Sequence, residues 1–168
     1  MKTKTLGVYY EHPKWFENFF SKLDDRGIDH IKMKSWNTSY DPGESKNNLG
    51  VDVLFNRMSP SAFNRGNENS IFFTLNYLKY LESLGVEIIN GYDAYTYEFS
   101  KSNQINLLRS LKIKHPKTIV VNHESEILET AEQLKFPIVL KPNIGGSGAN
   151  LIKFESYVEL KNYLSVNK

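Results

Sequence analysis

No cysteine occurs in the 168 residues. That excludes a disulfide framework, a thiolate zinc site and a thiol nucleophile. Long apolar runs are also missing, so the sequence offers neither a membrane-spanning helix nor a signal-peptide core. Asn37-Thr38-Ser39 fits a glycosylation acceptor, but without a secretory signal the pattern has no context. Charge of one sign is not in excess: charged residues make up 24% and the formal net charge is +2. Lys and Arg are scattered along the chain, which argues for solvated faces rather than a nucleic-acid surface. His12, His30, His115 and His123 lack metal-ligand spacing, and Glu124, Glu126, Glu129 and Glu132 read as one solvated helix face. The expectations are a cytoplasmic protein with no membrane or nucleic-acid partner and no metal site of its own. A homo-oligomer is left open.

What is present is an α/β rhythm. Short apolar runs alternate with helix-period segments, and 40% of residues are hydrophobic, enough for one sizeable core or two small ones. Strands are expected at Thr5–Tyr10, Ile28–Met33, Val51–Phe55 and Val86–Asn90. A helix beginning near Pro13 and carrying Trp15, Phe16, Phe19, Phe20 and Leu23 follows the first strand. A polar loop from Asn56 to Asn69 follows the third strand, and a long helix carrying Ile71, Phe72, Leu75, Leu78 and Leu81 precedes the fourth. This predicts a small open parallel sheet over residues 1–92. From 93 to 168 the rhythm changes. A helix is expected near Ser102–Leu111, then a strand at Lys117–Val121 and a helix capped by Asn122. Strands at Ile138–Lys141 and Leu151–Phe154 flank a glycine loop, and a capping box at Ser156 and Glu159 opens a last helix.

Gly145, Gly146, Ser147 and Gly148 are the first candidates for chemistry. Three glycines let backbone N–H groups approach a ligand closely and form an anion nest, with the Ser147 hydroxyl beside it; the same residues could instead form a tight hairpin. A Walker loop is excluded because Ala149 and Asn150 follow Gly148, and a nucleophile elbow fails at Ala149. A dinucleotide fingerprint fails after the first strand, where Glu11-His12-Pro13 stands. Lys141 ends an apolar strand four residues before the glycines and reads either as a surface charge or as a phosphate partner. Lys101 starts a helix, where a cation is slightly unfavourable unless an anion is also present. Arg57 follows the third strand, where open α/β sheets bind ligands; it suits a substrate carboxylate or a surface salt bridge.

Together, VDVLFNRMS, NYLKYLESLGVEIING, EFSKSNQINLLRSLKIKHPKT and LKFPIVLKPNIGGSGANLIKF resemble the ATP-grasp superfamily. The similarity is to its glutathione synthetase and RimK-like α-L-glutamate ligase branch, from Val51 to Leu160. The resemblance implies a Rossmann-like pre-ATP-grasp domain at 1–92, then a partial ATP-grasp α+β subdomain at 93–168, with the C-terminal subdomain absent. It implies that Lys101, Lys141 and the Gly145–Gly148 loop contact the phosphates of ATP, and that Arg57 faces substrate. It further implies an ATP-dependent carboxylate–amine ligase with an acyl-phosphate intermediate. Such an enzyme acts on small-molecule carboxylate and amine substrates, and its Mg2+ ligands are expected outside this chain. No catalytic residue is assigned, and the chain alone is expected to be inactive. The alternative is a non-catalytic nucleotide-binding or partner-binding module on a shortened ATP-grasp core.

Overall fold

The computed structural model describes residues 4–12, 14–45, 49–146 and 148–167. Pro13 and Ser147, which the sequence reading used, lie outside the described residues. The chain divides into two compact units: Met1–Ser100 with Ile144–Ser147, and Lys101–Asn143 with Gly148–Lys168. The break expected at residues 92 and 93 therefore falls later. Helix α3 (Tyr92–Phe99) belongs to the first unit, because Tyr95 is fully buried in that unit's core.

The first unit is a four-stranded parallel sheet of β1 (Leu6–Tyr10), β2 (His30–Lys34), β3 (Val53–Arg57) and β4 (Glu87–Ile89), in the order β2-β1-β3-β4. Leu6 lies opposite His30 on one side and Val53 on the other. The central strand is apolar throughout because both of its faces are covered. Val8 and Tyr10 pack with Phe16, Phe20 and Leu23 of the α1 (Glu17–Asp25) side. Tyr9 turns the other way, into a core with Leu54, Ile71, Tyr77, Leu78 and Leu81, the last four-residue set from α2 (Glu68–Ser83). Gly7 is glycine for space: a Cβ there would stand 3.0 Å from both Met33 Sδ and Val51 Cγ1.

The Tyr9 hydroxyl meets Thr74 Oγ1 at 3.1 Å, and that oxygen donates to the Ser70 carbonyl. Tyr9 is therefore the donor, and its polar end is satisfied inside the core. Burial drives the Tyr9 pKa up, against the Thr74 bond.

Three local expectations are corrected here. Strand β3 runs on to Asn56 and Arg57, because buried Asn56 finds partners: its Nδ2 donates to Asn90 O at 2.9 Å, and its Oδ1 accepts the Met58 N–H at 3.0 Å. The polar loop expected after it holds a 3-10 turn, Pro60–Arg65, entered through Ser59, whose side chain accepts the Ser61 N–H. Trp15, expected on the buried stripe of α1, precedes the helix and is 54% exposed, stacked on His12 at 4.1 Å.

The second unit begins with α4 (Lys101–Ser110) and has a two-stranded antiparallel sheet of β5 (Ile138–Leu140) and β6 (Ile152–Phe154). One face of that sheet packs on α5 (Ile127–Ala131) and α6 (Tyr157–Val166), with Ala131, Phe154 and Leu160 at the centre. Helix α6 is capped as expected: Ser156 Oγ accepts the Glu159 N–H, while Glu159 Oε2 accepts the Glu155 N–H.

The strand expected at Lys117–Val121 does not form. Its residues join no ladder, Val120 is 62% exposed, and Lys117 Nζ donates to the Gln133 carbonyl at 2.5 Å. An apolar run with no sheet face to pack on loses the reason to be a strand. The cap before α5 is also displaced. His123 Nδ1, rather than Asn122, accepts the Ser125 N–H and opens the turn Glu124–Glu126.

The small second core makes its own test. Leu160→Ala should cost about 2–5 kcal/mol through the cavity it leaves, whereas Val158→Ala, at a position 65% exposed, should stay within about 0.5 kcal/mol. Denaturant unfolding of both variants measures this; equal effects would refute the assigned core.

Candidate functional site

In the second unit, the first turn of α4 is capped from a distance. Asn143 Oδ1 accepts the Ser102 N–H at 2.8 Å, and the Asn143 carbonyl accepts the Lys101 N–H at 3.2 Å. The same carbonyl accepts Lys101 Nζ at 3.3 Å. Lys101 is thereby folded back over the start of its own helix, where the helix dipole creates positive potential.

Lys141 adds a third positive contribution. The pKa of Lys101 is lowered, first by burial and then by the charge of Lys141. The charge of Lys141 thus acts on the Lys101 ammonium, whose described side-chain partner is the neutral Asn143 carbonyl. This is a disposition that an anion would relieve. Lys141 itself is exposed at the mouth of a groove of about 670 Å³, whose walls include Ile105, Ile119, Leu134, Val139 and Leu151.

The glycines lie in the connection from β5 to β6, residues 141–151, which is too long for the tight hairpin that was the alternative. Gly145 and Gly148 have φ of 133° and 70°, both in the region that favours glycine. Gly146 has a different reason to be glycine. A Cβ there would come within 3.0 Å of Ser61 Cβ. Gly145 and Gly146 belong to the first unit, whereas Gly148, Lys101 and Lys141 belong to the second.

Arg57 ends β3. Its guanidinium lies over the rings of Phe55 and Phe16, 5.4 and 5.6 Å from their centroids. Its charge also acts on Glu98, where burial raises the carboxyl pKa and Arg57 opposes the rise. The sequence reading missed a neighbouring cluster entirely. Glu11, which continues β1, is 2% exposed. It is held by Arg65, whose Nε lies 3.0 and 3.1 Å from its two oxygens and whose Nη2 is ion-paired to it, and by Asn67 Nδ2 at 2.7 Å. Arg65 Nη1 also donates to Ser61 Oγ at 3.1 Å. Asn143 was missed as well. No local signal points to either, since their partners lie 41 or more positions away.

Among the described residues, no three His, Asp, Glu or Cys side chains converge to hold a metal ion, and no helix is long and apolar enough to cross a membrane.

Glu11 makes stability depend on pH. Burial opposes its charge, but the Arg65 and Asn67 hydrogen bonds, with the charges of Arg65 and His12, outweigh it and hold the pKa below 4.5. A folded-state pKa below the unfolded one stabilises the fold above the unfolded value. That contribution is lost as pH falls from about 4.5 through the folded value. Glu11→Gln should be less stable at neutral pH and should lose less on acidification. Thermal melts from pH 7 to 3 report both; parallel curves for the two proteins would contradict the assignment.

No family model matches the chain. Among curated proteins, it is 29% identical to a tetrahydromethanopterin:alpha-L-glutamate ligase of Methanococcus maripaludis, over 88% of this chain and 51% of that one. It is 29% identical to the alpha-aminoadipate–LysW ligase LysX of Sulfurisphaera tokodaii, over 95% of this chain and 53% of that one. Among solved structures, a RimK domain ATP-grasp protein from Sphaerobacter thermophilus superposes with a TM-score of 0.70 at 14% identity, covering 97% of this chain and 58% of that one. The ATP-grasp ligase PsnB, complexed with a minimal precursor, gives a TM-score of 0.61 at 16% identity, with coverage of 99% and 62%. In fold the chain is similar to these two ATP-grasp structures, in sequence it is similar to the two ligases, and it spans about half the length of the curated ligases it matches.

Proposed function

We propose that this chain binds the phosphates of ATP through Lys101 and Lys141, with the glycine segment Gly145–Gly148 closing on them. It would do so as part of an ATP-dependent carboxylate–amine ligase. The observation that carries the reading is the Asn143 cap, which holds both the Lys101 backbone N–H and its ammonium at the start of α4, with the charge of Lys141 acting on the same ammonium. Like charges that act on one another are costly, and a polyphosphate offsets that cost. Asn143 holds Lys101 through its carbonyl and so pre-orders one of the two cations. Lys141 reaches solvent beside an apolar groove, a setting for a ligand with a charged end and an apolar body.

In the proposed reaction, an oxygen of a substrate carboxylate attacks the γ-phosphorus of ATP. The bond to the β-phosphate oxygen breaks, giving an acyl phosphate and ADP. The nitrogen of an amine then attacks the acyl carbon and inorganic phosphate leaves, forming an amide with loss of a proton. Phosphoryl transfer asks of a protein mainly positioning and charge neutralisation, and the two lysines are suited to that. Arg57, packed on two aromatic rings, is proposed to face the substrate. Magnesium would neutralise further phosphate charge. With no ligand set for it among the described residues, no step here is assigned to it.

Calorimetric titration with ATP, GTP and tripolyphosphate tests the phosphate reading. All three should bind, more weakly as salt rises, and Lys141→Ala should cost about 1.5–3 kcal/mol. Lys101→Ala should act in the same sense and less than additively with it. Because the Lys101 pKa is lowered from 10.5, binding should begin to weaken at a lower pH than an unperturbed lysine would give. Tight ATP binding with no tripolyphosphate binding would overturn the placement at these lysines.

A further inference from the structure

The glycine segment is seated on the first unit by the turn that follows β3. Asn64 Nδ2 donates to the Gly146 carbonyl at 3.3 Å. Ser61 comes so close that a Cβ on Gly146 would lie 3.0 Å from Ser61 Cβ and 3.4 Å from its Cα and backbone nitrogen. Gly145 passes the same Asn64, whose Oδ1 is 3.7 Å from where its Cβ would be. Ile144, the residue before them, packs on the core that contains Tyr9, Leu54 and Met58. Three consecutive residues thus touch one surface that is far from them in sequence.

The surface is itself fixed. Pro60 enters the turn, Ser59 Oγ accepts the Ser61 N–H, and Ser59 Oγ and Ser61 Oγ are 2.8 Å apart. Arg65 joins Ser61 Oγ to the buried Glu11 carboxylate. A buried carboxylate demands its cation, so the turn cannot drift without stranding Glu11. By contrast, a segment containing three glycines has little stiffness of its own.

We infer that Ser61 and Asn64 are positioning residues for the glycine segment: they supply from outside the order that the glycines cannot supply themselves. In this account Gly146 is glycine because of the protein surface it lies on, not because of a ligand. The consequence for phosphate affinity rests on the proposed function. The seat does not.

Hydrogen exchange and tripolyphosphate titration on the full chain separate the two. Asn64 is exposed, so Asn64→Ala spares the core. It should speed exchange at the Gly145 and Gly146 amides while leaving β5 and β6 unchanged. It should also weaken tripolyphosphate by about two- to tenfold, the range of one hydrogen bond. Gly146→Ala should unseat the segment as well, and adding Ser61→Gly should recover part of the loss, since it removes the nearest atom. Unchanged glycine exchange in Asn64→Ala, or no recovery in the double variant, would overturn the seat. Tighter tripolyphosphate binding by Asn64→Ala would overturn its positioning role. If the wild type binds no tripolyphosphate yet Asn64→Ala still frees the glycine amides, the phosphate reading fails and the seat holds.

Discussion

A carboxylate with almost no access to water sits just past the central strand. Glu11 follows five residues whose burial is demanded from both sides, so the chain delivers it to the edge of the core whether or not the site suits a charge. A buried carboxylate is tolerable only with a cation and further donors. Arg65 and Asn67 meet that demand, and both come from the α2 end of the short stretch that joins β3 to α2. What looks in the sequence like a polar loop is therefore pinned to the strand two places away in the sheet's sequence order. Because the pinned turn carries Ser61 and Asn64, the glycines inherit their position from a charge-burial problem far from them in sequence.

The second unit handles charge the opposite way. The charge of Lys141 acts on Lys101, the start of α4 adds to the positive potential, and Asn143 offers Lys101 neutral dipoles. In the first unit a buried charge is compensated within the chain. In the second the compensation described for Lys101 is partial. The contrast is what directs the phosphate reading to Lys101 and Lys141, and away from Arg65, whose charge already has an acidic partner.

How much of this was legible follows from the range of each interaction. The strands of the parallel sheet were readable because burial on both faces is written into successive residues such as Val8, Tyr9 and Tyr10. The same holds for the α2 stripe of Ile71, Leu78 and Leu81. The capping box at Ser156 was readable because its partners are three residues apart. Lys117–Val121 misled because β-branched composition records a preference for a pleated, covered surface, and no strand offers Val120 that cover. The domain break slipped because Tyr95 reports its burial only once α2 and β1 are in place. Asn143 and the Glu11–Arg65 pair were invisible for a related reason: a hydrogen bond between residues tens of positions apart leaves no local pattern.

Glycine content illustrates how one composition can answer several requirements. Gly145 and Gly148 satisfy a backbone conformation, with positive φ, that side chains resist. Gly146 satisfies a distance, since its φ is not in that region and its constraint is Ser61. A substitution at Gly145 or Gly148 is thus strained by the residue's own backbone, wherever the segment lies. One at Gly146 is strained only while the segment rests on the turn. A ligand that drew the segment away would leave the first strain and release the second. Gly146 is therefore the position at which seating and ligand binding can be separated, although all three glycines look equivalent in the sequence.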